Sequence, residues 1–302
     1  MNLVRFSLLV KPPFRLDLTV WSLKRRESNA VDHWDGEKYI RILVIEKIPI
    51  KIEVTHEKNR VLVLAKSSRL VSQLKARLAV LLNTMLGLKI DLARFYRLSE
   101  QDKILHPLVR QFKGVKPPRF PTLFETLVNA ITFQQLSLEA GFSLLNKLVD
   151  QYGLPFKDED GTFHAFPVPG RIMKCKIEEL KALGYSHRKS ESLIEIASQV
   201  EVQQIDFHSL ESLSNEEIVG FLCCFKGLGR WSGEYALLRG FGRIAILPGD
   251  DVGIHKSLKI LLKRHQEIAY EKVKQLEQRW YPYAGLVYFH LLLHKLRKKG
   301  IL

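Results

Sequence analysis

Residues Leu222 to Leu258 read LCCFKGLGRWSGEYALLRGFGRIAILPGDDVGIHKSL. The segment leading into them is a helix: Ser214 and Glu217 have capping-box spacing, with Ile218, Phe221 and Leu222 as the apolar stripe. That helix stops at Lys226-Gly227-Leu228-Gly229, and another begins at Arg230-Trp231. Two glycines separated by one apolar residue make a tight turn in which Leu228 points into the core while backbone N–H groups face outward. A helix N-terminus with free amides attracts phosphate, and Lys226 and Arg230 add charge beside it. The pattern is a helix–hairpin–helix, a sequence-independent clamp for the DNA backbone. An ordinary αα-corner would need the same glycines but not the basic flanks.

Trp231 and Tyr235 are four residues apart and share one helical face. The loop Leu247-Pro248-Gly249-Asp250-Asp251 then opens a helix at Val252. One aspartate there is a cap stabilised by the helix dipole. Two adjacent carboxylates are more than a cap requires, and the order hairpin, aromatic helix, Asp-Asp, helix brings one of them near Trp231 and Tyr235.

Outward from this segment, residues 114–302 read as mostly helical. Patterned stretches fall at Leu138 to Tyr152, Lys176 to Leu183, His187 to Glu201, Val252 to Arg264 and Ala284 to Lys299. Thr122 and Glu125 have capping-box spacing ahead of Phe124, Leu127, Val128 and Ile131. The prolines of the Gly114 to Pro121 stretch mark a junction, giving two expected domains, 1–113 and 114–302. In the first, Ile48, Ile50, Ile52 and Val54 alternate with polar residues, flanked by Tyr39 to Ile45 and Val61 to Leu64, which predicts an antiparallel meander. Leu70, Leu74, Leu78, Leu82 and Met85 then predict a helix capped by Ser67 or Ser68. The fold class is α+β: a small antiparallel sheet with helices, then a mostly α-helical domain.

The chain has 302 residues, with 47 Lys plus Arg against 32 Asp plus Glu, a formal charge of +15 that favours a polyanionic partner. No signal peptide is visible, and the longest apolar run, Tyr283 to Leu293, is too short to cross a bilayer. Cys175, Cys223 and Cys224 are too few and wrongly spaced for a disulfide framework, a zinc ribbon or an iron–sulfur cluster. The expected setting is therefore reducing, cytoplasmic or nuclear, without a side-chain-bound metal and without membrane attachment.

Residues 222–258 resemble the helix–hairpin–helix (HhH-GPD) DNA glycosylases, and most of all the 3-methyladenine DNA glycosylase II type. The likeness continues in Phe124-Glu125-Thr126-Leu127-Val128-Asn129-Ala130-Ile131-Thr132-Phe133-Gln134-Gln135-Leu136-Ser137, in Leu180 to Lys189, and in Arg279-Trp280-Tyr281-Pro282-Tyr283-Ala284. The resemblance implies a monomeric enzyme that acts on double-stranded DNA, flips damaged purines out and hydrolyses the N-glycosidic bond. By motif, Asp251 takes the catalytic position and Asp250 the helix cap. Trp231, Tyr235 and Tyr283 line the base pocket, with Phe133 beside it, and Gln135 is the wedge that fills the gap left by the flipped nucleotide. Lys226, Gly227, Leu228, Gly229 and Arg230 form the backbone clamp. No cofactor is implied beyond a monovalent cation at the hairpin carbonyls. Tyr283 stands where the bacterial pattern commonly has Trp, and Phe133 replaces a small residue. Bifunctional relatives carry a Schiff-base Lys where this chain has Trp231, so the resemblance implies a monofunctional enzyme. The rival reading is a non-catalytic helix–hairpin–helix protein that only clamps DNA.

Overall fold

In a computed structural model the described residues are 1–202 and 207–302. The chain runs β1 (Asn2–Leu9), α1 (Leu16–Lys24), β2 (His33–Trp34), β3 (Tyr39–Ile45), β4 (Ile48–Glu57), β5 (Arg60–Ser67), α2 (Leu74–Met85), α3 (Ala93–Gln101) and α4 (Leu105–Gln111). It continues with α5 (Leu123–Phe133), α6 (Leu138–Tyr152), the hairpin β6 (Pro155–Asp158) and β7 (Gly161–His164), α7 (Pro169–Ile172), α8 (Ile177–Leu183) and α9 (His187–Glu201). The last elements are α10 (Phe207–Glu211), α11 (Asn215–Cys223), α12 (Arg230–Arg239), α13 (Val252–Leu261), α14 (Tyr270–Arg279) and α15 (Ala284–Lys298).

The first five strands form one antiparallel sheet in the order β1-β5-β4-β3-β2. Alternation along β4 places Ile50, Ile52 and Val54 wholly inside, against α1 and α2. The polar face of β4 is not left to water. Lys51 is fully buried and pairs with Asp158 and Asp160 at 2.6 Å, which pins β6–β7 over the sheet. This hairpin interrupts the helical half and was not expected from the sequence. The helix expected from Leu70 begins only at Leu74, after Gln73, and neither Ser67 nor Ser68 caps it. Ser67 is still a strand residue, paired with both Asn2 and Ile50, and its hydroxyl donates to Arg69 O.

The helical half packs α5, α6, α8, α9, α11 and α12 around Leu127, Ile131, Phe142, Leu193, Leu222 and Leu237. A second apolar core joins the two halves of the sequence. In it Trp21, Phe95 and Phe112 pack with Leu258, Trp280, Phe289 and Leu293. Arg41 of β3 crosses the same boundary, buried between Asp32 (2.7 Å) and Glu125 (2.5 Å). Glu125 is thus drawn out of the expected capping box. Thr122 accepts from its backbone N–H, but its carboxylate goes to Arg41. Ser214 and Glu217 do form the full box.

His290 sits in the joining core against Phe95 and Phe112, with Nδ1 bonded to Leu286 O and Nε2 buried without a partner. Burial pushes its pKa from 6.5 down to about 4. The unfolded chain therefore takes up a proton that the folded chain refuses. Stability is complete above pH 6.5 and falls as the pH drops towards 4, by about 3 kcal/mol from this group. Denaturant titrations of the native chain and of His290→Leu should diverge across that window. Parallel pH profiles would remove His290 from this account.

Candidate active site

Helix α11 ends in the turn Cys224 to Gly229, closed by Phe225 N–H to Leu222 O and Leu228 N–H to Phe225 O. Leu228 is buried in the helical core, and Gly227 has a φ of +85°. Helix α12 starts from Gly229 with no side-chain cap, so its first amides lack a protein acceptor of that kind. Both cations of the turn are engaged: Lys226 Nζ lies 2.6 Å from Glu191, and Arg230 donates from Nε and Nη2 to Asp250 Oδ2 at 3.0 and 2.9 Å. The Arg230 guanidinium also lies 3.8 Å over the Tyr270 ring. Both side chains remain about half exposed, so these pairs are screened and exchangeable.

Trp231 and Tyr235 are stacked, with centroids 5.3 Å apart and planes at 29°. Trp231 Nε1–H donates to Asp251 Oδ2 at 3.2 Å. Asp251 Oδ1 accepts the Ile254 N–H at 2.9 Å and caps α13. The expected division of labour between the two aspartates is thereby corrected. Asp251 itself is the cap, and Asp250 is the partner of Arg230. Adjacent residues point their side chains apart, and only Asp251, with extended backbone just before Val252, can reach the N3 amide.

Tyr283, at the start of α15, pairs with Phe95 (5.9 Å) rather than with the Trp231–Tyr235 stack. Phe133 meets Phe142 edge-on at 5.0 Å, under the Arg25 guanidinium at 4.7 Å. Gln135 is exposed, with a φ of +56°.

Several residues at the site carried no signal of their own. Tyr288 of α15 is buried, and burial, then the charge of Asp251, then Tyr235, hold its phenol far above the usual range. The sequence places it inside an apolar run that reads as core. Glu234, nearly buried, accepts from Gly249 N–H (2.6 Å), from Tyr270 Oη–H (3.2 Å) and from Lys274 (3.3 Å). His255 Nε2 lies 2.5 Å from Gly249 O. The loop before Asp251 is thus held by its own backbone on both sides. A Cβ at Gly249 would stand 2.2 Å from Tyr270, so any other residue there would displace the Tyr270 ring.

Residues 128–283 match the family described as HhH-GPD superfamily base excision DNA repair protein, and residues 5–121 match the AlkA N-terminal domain. A Bacillus subtilis protein named DNA-3-methyladenine glycosylase is 24% identical over 281 residues, 92% of this chain and 93% of its own length. The solved 3-methyladenine DNA-glycosylase from Archaeoglobus fulgidus has the same fold, with a TM-score of 0.83 at 24% identity over 96% of this chain and 98% of that one. The Schizosaccharomyces pombe 3-methyladenine DNA glycosylase, solved with abasic DNA, is 27% identical with a TM-score of 0.56, over 65% of this chain and 92% of its own. With a hairpin, a stacked aromatic pair and a helix-capping aspartate in the matched segment, the chain belongs to the HhH-GPD superfamily of base excision DNA repair proteins.

Proposed function

We propose that this chain is a DNA glycosylase that flips an alkylated or deaminated purine out of duplex DNA and hydrolyses its N-glycosidic bond, leaving an abasic site. The observation that carries the reading is the fixed carboxylate of Asp251. It is held by a backbone amide on one oxygen and the Trp231 indole on the other, beside an aromatic stack that follows directly on a phosphate-binding hairpin. The relatives named for 3-methyladenine belong to the same reaction class.

As the C1′–N bond breaks, its electron pair leaves with the base and positive charge develops on the sugar. A preorganised carboxylate offsets that charge and orients the water that adds to C1′. The partly exposed Trp231, backed by the buried Tyr235 on which it stacks, favours a cationic alkylated base by about 0.5–2 kcal/mol. The Tyr288 hydroxyl stays protonated and offers a donor to the same space. Tyr283 and Phe133 would flank this space from the Phe95 and Phe142 sides.

We propose a monovalent cation at the hairpin carbonyls. Gly227 O already accepts from Gln134 Nε2 and Phe225 O from Leu228 N–H, but each carbonyl keeps a second lone pair. Such an ion would present positive charge to a phosphate, and the hydrolysis itself draws on no redox carrier. With Trp231 where bifunctional relatives have lysine, we propose base release without strand cleavage. No helix among the described residues is long and apolar enough to cross a membrane.

The test is base release from alkylated and hypoxanthine-containing duplexes, read with and without alkali. Free base with strand scission only after alkali is the expected result. Scission without alkali would overturn the monofunctional part, and no base release from any duplex would overturn the enzyme. One observation favours the purely DNA-clamping alternative, namely that Asp251 is a helix cap. The two readings separate on Asp251→Asn.

A further inference from the structure

Helix α5 ends at Phe133, and Gln135 lies two residues beyond it in the left-handed region, a conformation that is strained for a non-glycine residue. Something must hold it there. Lys189, in the first turn of α9, donates from one ammonium to Thr132 O at 2.9 Å and to Gln134 O at 2.8 Å. It has no ion-pair partner among the described residues, and burial lowers its pKa. A lone, half-buried cation is costly unless its donors are used, and here they close the last carbonyls of α5. From the other side, Gln134 Nε2 donates to Gly227 O at 2.8 Å and to Ser232 Oγ at 3.1 Å. Gly227 is the left-handed glycine of the hairpin, and Ser232 lies in the first turn of α12. Helix α9 closes the triangle, because Ser192 packs against Gly227 so tightly that a Cβ there would be 2.1 Å from its Oγ.

We propose that Gln134 and Lys189 are positioning residues that fix Gln135 relative to the hairpin, so that the backbone clamp and the wedge act on the duplex as one rigid piece. This rests on the reading of Gln135 as the wedge of a glycosylase. The geometry gives the coupling a physical basis. The hairpin fixes the register on the phosphates, and the distance from those phosphates to the vacated base stack is set by the duplex. A wedge that wanders by about 1 Å loses up to ~100-fold in productive alignment. Extrusion is costlier for a paired base than for an unpaired one. Loosening the wedge should therefore penalise lesions in proportion to how firmly they are paired, and should leave the chemistry of an already extruded base alone.

The test is single-turnover release of one 7-methylguanine placed opposite cytosine, compared with the same lesion opposite an abasic site. Gln134→Met and Lys189→Met should slow release opposite cytosine by ~10–100-fold and release opposite the abasic site by less than ~3-fold. Lys189→Arg, whose guanidinium can reach both carbonyls, should restore most of the paired rate. Affinity for a duplex carrying an abasic-site product should stay within ~3-fold for all of them. Equal slowing on both substrates, or none on the paired one, would overturn the proposal while leaving the glycosylase reading intact. A native protein that releases no base from these substrates or from the other alkylated and hypoxanthine-containing duplexes would take down both.

Discussion

Asp251→Asn should lower the single-turnover rate of base release by ~1000-fold while the protein keeps its fold and its affinity for DNA. The substitution is informative because of the double duty of the carboxylate. Asparagine is as good an N-cap as aspartate, so its amide oxygen can still accept the Ile254 N–H at the start of α13. The remaining amide nitrogen then faces the Trp231 indole N–H, donor against donor, which costs about 1 kcal/mol of stability. What is lost outright is the negative charge. Asp251→Ala would mix the two effects, since removing the cap alone costs ~0.5–2 kcal/mol. Asp250→Asn is the matched control. It breaks a half-exposed pair with Arg230, worth ~0–1 kcal/mol, and should change the rate by less than ~10-fold. An Asp251→Asn protein within ten-fold of the native rate would reduce Asp251 to a cap and return the DNA-clamping alternative.

The two hairpin glycines should fail in different ways. At Gly227 the backbone is left-handed, and a methyl group would lie 2.1 Å from Ser192 Oγ and 2.8 Å from its Cβ. Gly227→Ala combines the left-handed penalty with a backbone shift, ~2–4 kcal/mol in all, and should weaken binding of any duplex by ~100-fold as the amides turn away from phosphate. At Gly229 the backbone is extended, with φ −117°, and a Cβ would meet nothing within 4 Å. Gly229→Ala should leave the unfolding midpoint unchanged, yet weaken DNA binding, because the added methyl sits on the cap residue of α12 where a phosphate must approach. Thermal unfolding and fluorescence anisotropy on an undamaged duplex measure both. A Gly227→Ala protein with native stability would contradict the structure at the turn.

Much of the architecture was legible because local signals agreed with tertiary demands. Helices α6 and α9 begin at Ser137 and Ser186, each accepting the third residue's N–H, and both run to their expected ends. Strand β3 matches Tyr39 to Ile45 because it pairs along its whole length with β4 and is buried from Tyr39 to Leu43. The errors arose where a partner distant in sequence overrode the local rule. Ser67 looks like a cap but is claimed by two neighbouring strands. Strand β1 is an edge with Leu3 and Leu9 exposed, so its hydrophobic run gave no clean alternation. The β6–β7 hairpin is held by acids that answer Lys51, more than 100 residues earlier. At the site, Trp231, Tyr235 and Asp251 do come together as the order of the motif required. Assigning the cap to Asp250 assumed that one carboxylate has one task. Glu234 and Tyr288 stayed hidden because an acid in a helix and a tyrosine in an apolar run read as surface and core until their partners are known.

The bridge made by Arg41 limits how this protein can be divided. Taking away either side of a buried pair leaves an orphaned charge, at ~3–5 kcal/mol, a large share of what holds an ordinary domain together. Here two carboxylates depend on one guanidinium, and Lys51 holds a second pair of acids across the same seam. A hairpin graft or a shortened enzyme cut near residue 114 would inherit Glu125 and Asp158 without their counter-ions, together with one exposed wall of the joining core. Chimaeras built from this chain should take their crossover points inside surface loops and carry the sheet along with the chemistry.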